Sequence, residues 1–374
     1  TPKAALLRRE AEVLRFTQEQ VHALDAMAAN AQVVFEGPAG TGKTVLAVEA
    51  ARRGAAAGRR VLFVCFNRLL GEALREQTAA FGANVVACTL HHHMRLAAGL
   101  EEVESPSSSF WDTELPAMAI DALLEGRGAA FSFDELVIDE AQDILRENYL
   151  DVLDLSLRGG LAAGRWRIFG DFIGQNVYDS ANISLDQFLT ERAGNASRYL
   201  LTRNCRNTPR IAELASHLPG LERVYSGVLR ADDYLEPTLH FYRDSAEQAR
   251  LLLDALERLY QEGFSGSDIV VLSARSDPHA IVKQVSAPPW RDRLRPLAEV
   301  RGGQVGYCSI HAFKGLEAPA VVVTDLDYPT NRAFHPLVYV AVTRARHRLT
   351  LLASESARPA LACMLQRPMA TLSQ

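Results

Sequence analysis

The chain has 374 residues, enough for two domains at about 100–200 residues each. With 48% hydrophobic and 23% charged residues it can build two cores without a disulfide scaffold or a structural metal. A net charge of −5 excludes nucleic-acid binding by bulk positive charge, though a local basic groove stays compatible with it.

Residues 1–15, rich in Arg and Glu, predict a helix or linker remnant cut from something longer, since the chain opens on Thr1 rather than Met. Thr17 is the N-cap expected for a helix running to about Asn30. Residues 33–35 read as a short buried strand ending at a glycine-rich loop. A helix over 43–57 follows, with Gly58 at its C-cap, then a strand over 61–66 and a helix over 68–80. Further strands are expected at 85–89, 135–138 and 167–169, while 101–116, acidic and rich in Ser and Pro, reads as a surface loop. A second alternation begins near 200, with strands at 198–201, 238–242, 268–272, 306–309, 320–325 and 349–352. Its helices fall near 208–217, 245–262, 278–285, 335–343 and 356–366. Strands alternating with helices predict an α/β fold with parallel sheets and right-handed crossovers. The expected division is 1–15, then a first domain over 16–200 and a second over 201–374.

The five cysteines, Cys65, Cys88, Cys205, Cys308 and Cys363, are scattered and form no CxxC pair. They read as reduced thiols of a cytoplasmic protein. No apolar run approaches the ~18–20 residues of a membrane span, and no signal peptide is visible, so no membrane partner is expected.

The strongest chemistry lies in Gly37-Pro38-Ala39-Gly40-Thr41-Gly42-Lys43-Thr44, which fits G-x-x-x-x-G-K-[ST] between a strand and a helix. Glycines let backbone N–H groups curl around phosphate oxygens, and the helix N-terminus favours negative charge there. Lys43 is expected on the β- and γ-phosphates and Thr44 on Mg²⁺. Hydrolysis needs an acidic partner, which Val137-Ile138-Asp139-Glu140-Ala141-Gln142-Asp143 supplies at a strand end. Adjacent carboxylates repel, so a cation is the natural reason to place them there. Asp139 is assigned to Mg²⁺, Glu140 to the attacking water, and the nucleotide is expected to be ATP.

Taken in order, these segments and several others resemble superfamily 1 helicases of the UvrD/Rep/PcrA kind, from about residue 16 to 352. The resemblance implies two tandem RecA-like domains and an ATP-driven motor. Phe16-Thr17-Gln18-Glu19-Gln20 is similar to the Q motif, which implies that Gln20 reads the adenine edge. Gly170-Asp171-Phe172-Ile173-Gly174-Gln175 resembles motif III, with one residue more than the usual spacing; Gln175 would sense the γ-phosphate and Tyr178 face nucleic acid. Leu201-Thr202-Arg203-Asn204-Cys205-Arg206-Asn207 is similar to motif IV, and 338–346 to motif VI, which makes Arg206 and Arg344 arginine fingers. An Arg fork is permanently charged and pairs bidentately with phosphate. Tyr307-Cys308-Ser309-Ile310-His311-Ala312-Phe313-Lys314-Gly315-Leu316-Glu317 resembles motif V, implying Glu317 on the ribose and Ser309, His311 and Lys314 along a strand. Phe66 and Asn67 sit where motif Ia lies, and Thr89 and His91 where motif Ib lies, all implied nucleic-acid contacts. The run His91-His92-His93 does not read as zinc, because consecutive residues do not converge on one tetrahedral ion.

Three departures carry meaning. Cys205 stands where the family has a tyrosine that stacks on adenine, so adenine stacking is weakened or supplied elsewhere, and a strict preference for ATP does not follow. Tyr178 is followed by Asp179-Ser180-Ala181 instead of the family's Arg-Trp-Arg, so the usual base-stacking tryptophan is missing. Only about 95 residues separate Lys43 from Asp139 and about 105 separate Arg206 from His311, too few for the family's large insertions. The expectation is a minimal motor translocating 3′→5′ on single-stranded DNA, with a nuclease or other domain N-terminal to it. An RNA-directed motor, or an NTP-dependent switch acting on a protein partner, are the alternatives. Oligomeric state is not legible.

Overall fold

The computed structural model describes residues 22–101, 107–127, 130–172, 182–218, 225–327 and 334–365. The first sheet holds β1 (Gln32–Glu36), β2 (Val61–Cys65), β3 (Val85–Thr89), β4 (Glu135–Ile138), β5 (Arg165–Gly170) and β6 (Ser197–Leu200). Its order is β3-β2-β4-β5-β1-β6, with parallel pairing throughout. The strands are nearly continuous apolar runs because a parallel sheet is covered on both faces. Val34, Leu62, Val64, Ile138 and Ile168 face one core; Val33, Phe35, Phe63, Val137 and Phe169 face the other. Phe35 and Phe169 stack at 4.8 Å between centroids, locking β1 to β5.

A short parallel pair, β7 (Arg203–Asn204) with β8 (Gly227–Val228), follows. The second sheet holds β9 (Thr238–Tyr242), β10 (Ile269–Ser273), β11 (Leu294–Pro296), β12 (Val305–Ser309), β13 (Ala318–Leu326) and β14 (Ala345–Ser354). It runs β11-β12-β10-β13-β14-β9, again parallel. Helices flank both sheets, and the two halves are RecA-like α/β domains.

Two readings change. The strand expected to open the second alternation is β6, and it closes the first sheet by pairing with β1. The crossover through the helix Leu185–Arg192 returns the chain to that edge, where Tyr199 packs on Phe35 at 5.8 Å. Within 101–116, the chain is helical from residue 108 onward, with a π-helical turn Phe110–Glu114 leading into the helix Leu115–Ala122. Leu115 and Ala119 are buried there, and Phe110 and Trp111 pack on the same core. The histidine run lies on a helix, Leu90–Ala98, whose N-cap is Thr89. Among the described residues, no helix is long and apolar enough to cross a membrane.

Candidate nucleotide-hydrolysis site

Loop 37–44 follows the C-terminal end of β1, the place where parallel α/β sheets hold ligands. Gly37 N–H donates to the Gly170 carbonyl of β5 at 3.2 Å, tying the loop's start to the neighbouring strand. Gly40 has φ +80°, and a Cβ there would lie 2.9 Å from Asn204 Nδ2 and 3.0 Å from Asn207 Oδ1, so both backbone and space require glycine. Lys43 opens the helix Lys43–Ala56 and is 6% exposed. Its Nζ donates to the Gly37 and Pro38 carbonyls at 2.7 and 2.9 Å. Burial lowers its pKa, opposed by the charges of Asp171, Glu140 and Asp139.

One strand over, β4 ends in Asp139 and Glu140, both buried. Glu140 has φ +52°, a left-handed conformation costly for a residue with a Cβ. A polar frame holds it: Gln142 Nε2 donates to Glu140 Oε2 at 2.5 Å, and Gln142 Oε1 accepts from Asp171 N–H at 3.1 Å. Burial and then the charge of Glu140 push Asp139 up, to about 7, while Thr44 and Lys43 pull it down. Burial also pushes Glu140 up, but Lys314, Lys43 and Arg344 outweigh it and hold its carboxyl below the usual range. Asp139 Oδ2 is buried with no hydrogen-bond partner. An orphaned carboxylate oxygen beside a threonine hydroxyl is a hard-oxygen donor set, which fits Mg²⁺.

The second domain closes over this site. Tyr339 OH accepts from Ala39 N–H at 3.0 Å and donates to Asp171 Oδ2 at 3.2 Å. Tyr225 OH donates to the Ala39 carbonyl at 2.9 Å, and Cys205 N–H donates to the Gly40 carbonyl at 2.8 Å. Ala39 thereby joins the second domain's core. Arg344, fully buried, donates from Nε to the Val340 carbonyl at 2.9 Å, from Nη1 to the Leu316 carbonyl and from Nη2 to Thr343 Oγ1. Burial and the nearby Arg206 lower its pKa to about 10, against the opposing pull of Glu140. Arg206 pairs with Glu317; burial pushes the Glu317 carboxyl up, but the charges of Arg206 and Arg346 hold it below its usual range. Lysine and acids of one domain and arginines of the other thus surround one point, an arrangement suited to charge developing on a transferred phosphoryl group.

Residues 307–352 match the model of the UvrD-like helicase C-terminal domain, and residues 15–160 match an AAA domain. The C-terminal segment is thus similar to that of UvrD-like helicases, and the N-terminal part to an AAA domain. Both matches are to nucleotide-using protein families. Among solved structures the chain is similar to the arterivirus nonstructural protein 10 helicase, at 15% identity and TM-score 0.43, over 90% of this chain and 62% of that one. The same viral helicase solved with DNA gives 13% identity and TM-score 0.41, over 90% of this chain and 64% of that one. The C-terminal domain of a possible DNA helicase from Lactobacillus plantarum WCFS1 gives 20% identity and TM-score 0.35, over 45% of this chain and 95% of that one. The chain therefore spans less than two thirds of the viral helicase. No curated protein matches it in sequence.

Several residues expected along a nucleic-acid strand have other partners. Lys314 is 1% exposed, with Nζ 2.6 Å from Asp143 Oδ1 across the cleft. Gly315 beside it, at φ +85°, lets that loop approach Leu70, whose Cδ2 would lie 2.6 Å from an added Cβ. Asn67 caps the helix Arg68–Thr78 and donates to the His311 and Ala312 carbonyls at 3.0 and 3.1 Å. His91 packs edge-on against Phe66 at 5.0 Å and contacts Tyr149 OH at 3.2 Å; burial lowers its pKa to about 4. Thr89 accepts from His92 N–H, and Ser309 accepts from Ala312 N–H, so both hydroxyls serve local turns. His311 is half-buried, and burial, then Lys314, lowers its pKa. Gln20, Gln175 and Tyr178 lie outside the described residues. Sequence reasoning missed Tyr225 and Tyr339. Tyr339 lay inside the motif VI segment with no role given, and Tyr225 carries no motif signal.

Proposed function

We propose that this chain binds ATP on loop 37–44 and hydrolyses it with Mg²⁺ in the cleft between a first domain over 16–200 and a second over 201–374. Lys43 holds the β- and γ-phosphates; Thr44 and Asp139 hold Mg²⁺; Glu140 takes the proton of the attacking water. Arg206 and Arg344 steady the charge that develops on the γ-phosphate, with Gln175 as its sensor. Gln20 and Glu317 contact adenine and ribose. The work output is movement along single-stranded DNA, 3′→5′, with Phe66, Asn67, Thr89, His91, Tyr178, Ser309 and His311 bordering the strand path, and Lys314 set behind it on Asp143.

The observation that supports this best is the direct engagement of the phosphate loop by the second domain, through Tyr225, Tyr339 and Cys205 at Ala39 and Gly40. A loop gripped this way couples nucleotide state to the relative placement of the two domains, which is what a motor requires. The test is the ATPase rate with no polymer, single-stranded DNA, duplex DNA or RNA, using Lys43→Ala and Glu140→Gln as controls. Stimulation by single-stranded DNA is expected. Stimulation by RNA alone would redirect the reading to an RNA motor, and no stimulation by any polymer would sink both.

A further inference from the structure

Glu140 is reached by a hydrogen-bonded chain that starts on the second domain. Tyr339 lies on the helix Phe334–Val342, fully buried, and its hydroxyl spans the cleft. There it accepts from Ala39 N–H at 3.0 Å and donates to Asp171 Oδ2 at 3.2 Å. Asp171 follows β5 and is 2% exposed, so its carboxylate depends on donors supplied from inside the protein. Its own N–H donates to Gln142 Oε1 at 3.1 Å, and Gln142 Nε2 donates to Glu140 Oε2 at 2.5 Å. An amide has one accepting end and one donating end, so the bond from Asp171 sets which end faces Glu140.

The chain has little slack. Gly170 precedes Asp171, and a Cβ there would lie 3.1 Å from Gln142 Oε1 and 2.5 Å from Phe172 Cζ. The Gln142 carbonyl accepts from Asn182 Nδ2 at 2.6 Å, which holds its backbone as well. Glu140 needs such a hold, because a φ of +52° persists in a residue with a Cβ only when its surroundings impose it.

We propose that Tyr339 and Gln142 are positioning residues for Glu140, and that docking of the second domain on the phosphate loop completes the chain through which they act. These roles rest on Glu140 being the base that takes the proton of the attacking water. The Tyr339 hydroxyl orients Asp171, Asp171 sets the Gln142 amide, and the amide fixes the rotation of the Glu140 carboxylate. A base held this way is aligned only while the cleft is closed, and a misplacement of about 1 Å in such a group costs about a hundredfold in rate.

The experiment is steady-state ATP hydrolysis, with and without single-stranded DNA, by wild type, Tyr339→Phe, Gln142→Leu and the double variant. Equilibrium binding of a fluorescent ATP analogue and circular dichroism accompany it. Each single substitution should lower kcat about ten- to a hundredfold, the rate equivalent of one hydrogen bond to a charged group. KM and the dissociation constant should change less than about threefold, since the lost interaction acts on the base and not on the bound nucleotide. The double variant should be no more than about twofold slower than the slower single variant, because the two residues act in series. Gln142→Glu keeps the side chain's shape, but its ionised carboxylate cannot donate; it should lose as much as Gln142→Leu and replaces it in the cycle if the leucine variant does not fold. Single losses that multiply in the double variant overturn the proposal. So does Tyr339→Phe with an unchanged kcat or a loss confined to KM, or a Gln142 variant as fast as wild type. Each of these leaves the proposed function standing on the wild-type rate. A folded wild-type chain that hydrolyses no ATP under either condition overturns both together.

Discussion

Replacing Lys314 by methionine isolates the buried pair that joins the two domains. Nζ lies 2.6 Å from Asp143 Oδ1, with the side chains 1% and 3% exposed. Removing one partner of such a pair typically costs ~3–5 kcal/mol, because the remaining charge is buried without compensation. Asp143 has an escape. Burial already pushes it up, to about 7, against the pull of Lys314. Without Lys314 its pKa rises further, and the carboxyl takes a proton near neutral pH. A carboxyl raised above its unfolded value contributes stability that is full below that value and is lost as pH rises through the folded pKa. The variant should therefore be little destabilised at about pH 5.5. At about pH 8.5 it should lose roughly 2 kcal/mol, from about 1.5 pH units at ~1.4 kcal/mol each. Urea denaturation of both proteins at the two pH values measures this. The same substitution removes the leading attraction that holds Glu140 low, so the acid limb of the hydrolysis profile should move to higher pH. Equal destabilisation at both pH values, together with an unmoved acid limb, would refute the coupling.

Arg344→Ala should spare nucleotide binding and cut turnover about a thousandfold, as expected for an arginine finger; a normal rate refutes that role. Gly40→Ala forces a Cβ onto Asn204 and Asn207 at positive φ, at a cost of about 1–2 kcal/mol. It should raise KM for nucleotide while fluorescence-detected unfolding shifts only modestly, and an unchanged KM would show that the loop's contact with the second domain is idle. His91 and His93 both have pKa values lowered to about 4 by burial, below the 6.5 of an exposed histidine. Their contribution to stability is complete above that value and fades as pH falls toward about 4. His93→Gln should make denaturation midpoints less pH-dependent across that window, and an identical slope in wild type and variant would exclude the assignment.

Much of the site was legible because chemistry demanded contiguous residues. A phosphate cradle needs its glycines and lysine within one strand–loop–helix unit, so Gly37 to Thr44 announced themselves. Asp139 and Glu140 did so too, since paired carboxylates after an apolar strand have few other uses. Alternating apolar strands and helices fixed the fold class, and most strand positions followed. Patterning failed where tertiary context overrode composition. Ser and Pro masked the helix around Phe110 to Ala122, whose apolar side chains find a core only once the sheet exists. Nothing in the triplet 91–93 marks one histidine as core, yet His93 is 1% exposed and bonded to Ser156.

The sequence by itself determined the α/β fold class and the phosphate-loop motif, because those depend on residue types at short, fixed spacings. What it left undecided was the partner of each side chain across the cleft. Lys314 and Asp143 stand 171 residues apart, and Tyr339 and Ala39 stand 300 apart. Separations of that length carry no periodicity or motif. Only the docking of one domain on the other decides that a lysine expected on a nucleic-acid strand is buried on an aspartate, and that a tyrosine of one domain holds the phosphate loop of the other.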